Sequence, residues 1–301
     1  MGVKRRNYMN NKLPKLIVIL GPTASGKTGL AIKLAKKFNG EIVSADSKQV
    51  YKEMAIGTAQ PTKKEMKAVA HHLVGIAYPN EDFNVAVYKK IAIKVIKDIL
   101  KRKKLPFLVG GTGLYIKAIV DNIVFPKIPP KKRIRKELEA KTKEKLFRIY
   151  EKLDPKGAKL IDKNNKRRLI RAIEVCKITK KSFWEQRKKQ NPIFDVLQIG
   201  IKLPKVELEK RISKRTEKMF KLGLEKEVKN LIKKYGPAPL LQTIGYKEWL
   251  DSKEDKQKIK EEIKLHTLQF TKKQMTWFRK DKKIIWVRNY KKIENLVKTF
   301  I

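Results

Sequence analysis

Eight residues near the start of the chain, Gly21-Pro-Thr23-Ala24-Ser25-Gly26-Lys27-Thr28, have the types and spacing to hold a polyphosphate. They match the pattern G-x-x-x-x-G-K-[ST] between an apolar run, Lys15 to Leu20, and a helix-like segment, Gly29 to Phe38. Gly21 and Gly26 let the backbone turn its N–H groups inward, Lys27 supplies a point charge, and Thr28 offers a hydroxyl to a divalent metal. The pattern alone does not choose between a nucleoside triphosphate and an isoprenoid diphosphate, which present similar oxygens. A second reactive group follows: the short apolar run from Glu41 ends in Ser44-Ala-Asp46-Ser47. Ligands of an open α/β sheet collect at the carboxyl ends of its strands, so Asp46 should face the same crevice as Lys27.

A third apolar run, Leu105 to Val109, leads into Gly110-Gly-Thr-Gly-Leu-Tyr115. Phosphate-loop ATPases commonly end a second strand in a magnesium-binding aspartate, and here glycines stand in its place. Asp46 is then the strand-end carboxylate available as a base, which favours transfer to an acceptor over hydrolysis. The glycine turn itself could bring N–H groups to an anion or pack closely against the first loop.

The elements that must position these groups alternate. Asn84 can cap a helix over 85–103, with Val87, Ile91, Val95, Ile96 and Ile99 at helical spacing. Residues 51–62 read as irregular, followed by a short helix and a strand-like His71-His-Leu-Val-Gly75 whose adjacent imidazoles diverge and make a poor metal pair. Asp195 to Ile201 reads as a strand, Val206 to Leu222 as a helix with Arg211 and Arg215 one turn apart, and Glu261 to Lys280 as a long helix. Ile284 to Val287 supplies a last strand. These features predict an α/β fold: a P-loop NTPase-like parallel sheet core over 1–121 and 196–301, with a helical insertion domain over 122–195. The insertion carries Lys141, Lys143, Lys145, Arg148, Asn165-Lys-Arg-Arg168, Arg171 and Arg187-Lys-Lys189 with few carboxylates among them.

Over all 301 residues, 75 Lys and Arg stand against 30 Asp and Glu, a formal charge of +45. Such an excess suits a polyanionic partner, although a lysine-rich genome would contribute to it. The apolar runs are too short to span a bilayer, and the basic first residues have no apolar run of signal-peptide length behind them. Cys176 is the single cysteine, on an apolar helical face with Leu169 and Ile173, where a buried structural thiol is expected. A cytoplasmic monomer without membrane contact is the expectation.

Taken in order, the segments resemble the tRNA dimethylallyltransferase (isopentenyltransferase) family over about 15–290. They are Gly21 to Thr28, Ser44 to Tyr51, Gly57-Thr58 with Pro61, His71-His-Leu73, Gly110 to Tyr115, Arg168 to Glu174, Gly245-Tyr-Lys-Glu248 and Gln274 to Arg279. The resemblance implies transfer of a dimethylallyl group from dimethylallyl diphosphate to the exocyclic amine of adenosine 37 in tRNAs that read codons beginning with U. It implies Asp46 as the base, Thr23 near the bridging oxygen, and Arg215 with Mg2+ on the leaving group, the metal being met by Thr28. Gly21, Thr23, Ala24, Ser25, Gly26, Lys27 and Thr28 would bind the diphosphate. Ser47, Gln49, Gly57, Thr58, Arg168, Arg171, Gln274 and Arg279 would contact tRNA, with the insertion gripping the anticodon stem-loop. The chain departs from the family pattern at Leu268 and Lys273, where arginines are usual, and at Lys180, where glycine is usual. Which of Arg211 and Arg215 meets the diphosphate stays open.

Overall fold

The computed structural model describes residues 12–126, 128–236, 241, 243–251 and 255–301. The chain enters through β1 (Lys15–Leu20), α1 (Lys27–Lys37), β2 (Gly40–Ser44), α2 (Lys63–Ala68), β3 (His71–His72), α3 (Val85–Lys101), β4 (Leu105–Gly110) and α4 (Gly113–Val120). After four helices, α5 (Lys132–Glu139), α6 (Lys143–Leu153), α7 (Pro155–Ala158) and α8 (Lys166–Thr179), it returns to the sheet. There it adds β5 (Asp195–Ile201), α9 (Lys205–Lys221), α10 (Leu224–Tyr235), α11 (Glu248–Asp251), α12 (Lys256–Phe278), β6 (Ile285–Val287) and α13 (Tyr290–Phe300).

The strands form one six-stranded sheet in the order β3-β2-β4-β1-β5-β6, with every pairing parallel. A parallel sheet is covered on both faces, which is why β1 is apolar at successive positions instead of alternating. Leu16, Val18 and Leu20 face α3 and α4 residues such as Ile96, Ile99 and Ile119. Ile17 and Ile19 face Leu34 of α1 and Ile293 and Val297 of α13. Because all strands run the same way, Leu20, Ser44, Gly110 and Ile201 end on one edge, and the loops that follow them share it.

Local signals set most boundaries. The Asn84 side chain accepts from the Ala86 and Val87 N–H groups and starts α3, and Asp255 does the same for α12 through Gln257 and Lys258. The latter cap lies upstream of the expected helix start, so α12 begins earlier than 261. Helix α13 was not foreseen after the last strand, although Asn289 caps it and Ile293, Leu296, Val297 and Phe300 keep helical spacing.

The chain divides into two compact units, one comprising the sheet and the segments to Val120 and from Ile193, the other Asp121–Pro192. The second unit closes at 192, short of the expected 195. Ile193 and Phe194 already pack into the sheet's core and Asp195 pairs with Lys15 in β5.

Helices α5, α6 and α8 of the second unit enclose Leu138, Leu146, Tyr150, Leu169, Ile173 and Cys176, the last buried as expected. Within it the buried Glu174 accepts from Arg135, Arg171 and the Lys131 N–H. Burial pushes its carboxyl up, but these donors outweigh burial and hold it below the usual range.

Helix α8 ends on Lys180 at φ 57°, ψ 23°, a left-handed conformation that favours glycine. Lys180→Gly is therefore expected to stabilise the fold by about 1 kcal/mol. Thermal unfolding should show a higher midpoint, and an unchanged or lower one would contradict the strain.

Candidate functional site

The phosphate-loop pattern occupies the turn between β1 and α1. Gly26 takes φ +86°, a conformation open to glycine, and places Lys27 as the first residue of the helix. The Lys27 ammonium donates to the Pro22 carbonyl at 2.6 Å. Ser25 Oγ is buried and meets no hydrogen-bond partner among the described residues. Buried polar atoms are normally satisfied, so the hydroxyl is suited to an external oxygen.

Lys27, Asp46 and Arg215 come together here. Burial brings the Lys27 ammonium down to about 8, with Asp46 opposing that shift and Arg215 adding to it. Arg215 is likewise lowered by burial and supported by Asp46. The neighbouring Arg211 is held by Glu207 at 2.6 Å and reaches only the Ser25 carbonyl, at 3.4 Å. The two arginines thus differ: Arg211 is paired at the loop's outer side, whereas Arg215 has no ion-pair partner within salt-bridge distance among the described residues.

Asp46 sits just past β2. Its Oδ1 accepts the Lys48 N–H at 2.8 Å and, more weakly, the Gln49 N–H at 3.4 Å, so the turn fixes the carboxylate. The Ser47 N–H donates to Thr112 Oγ1 at 3.0 Å. The Gln49 amide donates to the Ala59 carbonyl at 2.9 Å and accepts from Ser44 Oγ at 3.3 Å. Gly57 and Thr58 are buried in the adjoining turn. Glycines at the end of β4 and the start of α4 provide close approach: a Cβ on Gly110 would lie 2.2 Å from the Ala45 carbonyl, and one on Gly113 would lie 2.2 Å from the Trp277 ring.

Gln274 on α12 is buried, and its amide bridges two loops. It accepts from the Thr23 N–H at 2.9 Å and donates to the Gly111 carbonyl at 2.9 Å. That bridge ties the phosphate loop to the glycine turn and was not legible in the sequence, because Thr23 and Gln274 stand 251 residues apart. Arg279, just beyond α12, is exposed. In the second unit Arg168 lies over the Trp184 ring at 5.5 Å, and Arg171 is bound to Glu174 at 2.6 Å and to the Ile128 carbonyl at 2.8 Å. His72 meets Glu41 at 2.8 Å, beside Arg102 and Lys104. No cluster of His, Cys, Asp or Glu suited to a metal occurs among the described residues, nor is any helix there long and apolar enough to cross a membrane.

A protein-family model described as IPP transferase matches residues 49–281, and one described as isopentenyl transferase matches residues 14–74. The chain belongs to the IPP transferase family. Relatives within it include a tRNA dimethylallyltransferase of Prochlorococcus marinus, 42% identical over 292 residues and covering 96% of each chain. Another, from Caldicellulosiruptor saccharolyticus, is 44% identical over 281 residues, covering 89% of this chain and 90% of its own. The fold is that of solved family members. The tRNA isopentenylpyrophosphate transferase of Bacillus halodurans superposes with a TM-score of 0.71 at 36% identity, covering 95% of this chain and 96% of that one. A eukaryotic dimethylallyltransferase acting on tRNA gives 0.78 at 27% identity, covering 95% and 77%.

The depressed Lys27 pKa has a measurable consequence. The ammonium is charged below about pH 8 and loses its proton above it, so pyrophosphate affinity of the unliganded protein should fall as pH rises through that value. Calorimetric titration from acid to alkaline pH checks this, and a constant affinity well above that value would contradict it.

Proposed function

We propose that this protein transfers the dimethylallyl group of dimethylallyl diphosphate to the exocyclic amine of adenosine 37 in tRNAs that read codons beginning with U. The observation that carries the reading is the meeting of Lys27, Arg215 and Asp46 at the carboxyl edge of the parallel sheet. Two cations beside a phosphate-binding turn suit a diphosphate leaving group, and a carboxylate beside them suits a proton acceptor.

In the reaction, a bond forms between the amine nitrogen and the first carbon of the prenyl group as the bond from that carbon to the diphosphate oxygen breaks. Lys27, the N–H groups of Gly21 to Thr28 and Arg215 take up the charge that develops on the diphosphate. The Thr23 hydroxyl lies on the same turn, where it can donate to the bridging oxygen. Asp46 receives the proton lost by the amine, which is a poor nucleophile because its lone pair is delocalised into the ring. The Thr28 hydroxyl and Asp46 are hard oxygen donors of the kind Mg2+ accepts along with phosphate oxygens; when bound there, the ion would supply further charge neutralisation.

The acceptor base must leave its stack to reach this edge. Gln49, Ser47 and the Gly57-Thr58 turn adjoin Asp46 and are assigned to the base and its neighbours. Gln274 supports the site from behind by holding Thr23, and Arg279 presents an exposed charge to RNA. The second unit offers its basic helices, with Arg168 and Arg171, to the backbone of the anticodon stem-loop. Neutralising several phosphates releases counterions, so tRNA affinity should fall steeply with salt. Filter binding over a salt series should give a log–log slope of several units, and a flat dependence would remove the phosphate-gripping role.

The reading is tested with labelled dimethylallyl diphosphate and Mg2+ in the presence of unmodified tRNA, AMP or neither. Label should enter tRNA alone. Label in AMP would assign the protein to free-nucleotide prenylation, and ATP turnover without prenyl transfer would make it a kinase.

A further inference from the structure

The turn over residues 55–60 lies between Asp46's neighbour Gln49 and a carboxylate on a distant helix. Glu227, on α10, accepts the Ile56 N–H at 2.8 Å and the Gly57 N–H at 2.9 Å. The Tyr246 hydroxyl donates to the same carboxylate at 2.8 Å. The buried Tyr246 ring lies against Gly57, where a Cβ would come within 2.4 Å of a ring carbon. Tyr246 is itself held in a turn: Gly245 takes φ +98° and donates its N–H to Glu248 at 2.8 Å, and Glu248 is bonded to His266 of α12 at 2.7 Å.

On its other side the same turn grips Gln49. The carbonyls of Ala59 and Thr58 accept from its amide at 2.9 and 3.4 Å, and Gln60 returns a bond to the Gln49 carbonyl at 3.0 Å. The backbone of Gln49 in turn donates to Asp46. A continuous set of hydrogen bonds therefore runs from α10 to the strand-end carboxylate, and none of these bonds involves Gly21 to Thr28.

We propose that Glu227 and Tyr246 are positioning residues for the acceptor: they tether the 55–60 turn and through it orient Gln49 beside Asp46. The inference rests on the reading of this edge as a prenyl-transfer site. Packing alone would need only the Tyr246 ring, whereas the Glu227 carboxylate takes the turn's N–H groups and the Tyr246 hydroxyl holds that carboxylate. Bonds of N–H groups to an ionised carboxylate are among the stronger ones, so their loss should loosen the turn without displacing the sheet.

The test uses the full chain carrying Tyr246→Phe, Glu227→Gln or both. Amide exchange of Ile56 and Gly57 should quicken about tenfold or more in each variant, and unchanged exchange would overturn the tether. The KM for tRNA should rise, or single-turnover transfer should slow, by about tenfold, while pyrophosphate affinity and the KM for dimethylallyl diphosphate stay within about twofold. The double variant should be little worse than Glu227→Gln, because both changes break one shared network. A loss of pyrophosphate-titratable sites in parallel with activity would reveal a merely structural defect and overturn the positioning role. Faster exchange in variants of a protein that, unmutated, prenylates no tRNA would leave the tether standing and overturn the prenyl-transfer reading instead.

Discussion

Asp46→Ala is expected to slow single-turnover prenyl transfer at least about a hundredfold while leaving tRNA affinity nearly unchanged. The carboxylate is fixed by the Lys48 N–H at 2.8 Å and stands near Lys27 and Arg215, so the proposed proton acceptor is held in place by the turn itself. On the proposed mechanism its removal takes away the acceptor of the amine proton and leaves the cationic surfaces assigned to RNA in place. It also removes the negative charge that opposes burial at Lys27, so the lysine pKa should fall further in the variant. Quench-flow transfer and filter binding separate the two effects. Near-normal transfer would exclude Asp46 as the base, and a parallel loss of tRNA binding would make it a binding group.

Lys27→Met should act on the other half of the reaction. The ammonium is the point charge of the phosphate loop and is partly desolvated, so on the proposed mechanism it would act on a departing diphosphate in a low-dielectric setting. Loss of one such preorganised donor costs about a hundred- to a thousandfold in rate in comparable sites. The variant should also lack the decline of pyrophosphate affinity around pH 8 expected of the wild-type lysine. Retention of that decline would assign it to another group. Arg215→Met should weaken transfer more than Arg211→Met, since Arg211 is already paired with Glu207.

What the sequence made legible was local. The phosphate loop, the strand-end Asp46, the Asn84 cap and the parallel α/β order each depend on residues close together in the chain, and the structure has them where those patterns placed them. The difference between Arg211 and Arg215 lies in the third dimension: both share one helix face, but Arg211 pairs with Glu207 whereas Arg215 is lowered by burial and supported by Asp46. The glycines from Gly110 to Gly113 could have met an anion or a neighbour; Ala45 and Trp277 show that close packing explains Gly110 and Gly113. Gln274 to Thr23 and Glu227 to Gly57 were beyond sequence reasoning, since no periodicity or spacing connects partners 251 and 170 residues apart. The end of the second unit shifted for a related reason: Ile193 and Phe194 follow the basic run Arg187-Lys-Lys189 of the insertion but pack against the sheet.

The central claim is that the edge holding Lys27, Asp46 and Arg215 joins a prenyl group to one adenosine of tRNA. Its most direct test is to incubate the protein with dimethylallyl diphosphate and an unmodified tRNA reading a codon that begins with U, then to digest the RNA and map the product by mass spectrometry. The account predicts one added five-carbon group, on the exocyclic amine of adenosine 37, and none when Asp46→Ala replaces the wild type. Prenylation at another nucleotide, or equal product from the variant, would contradict it.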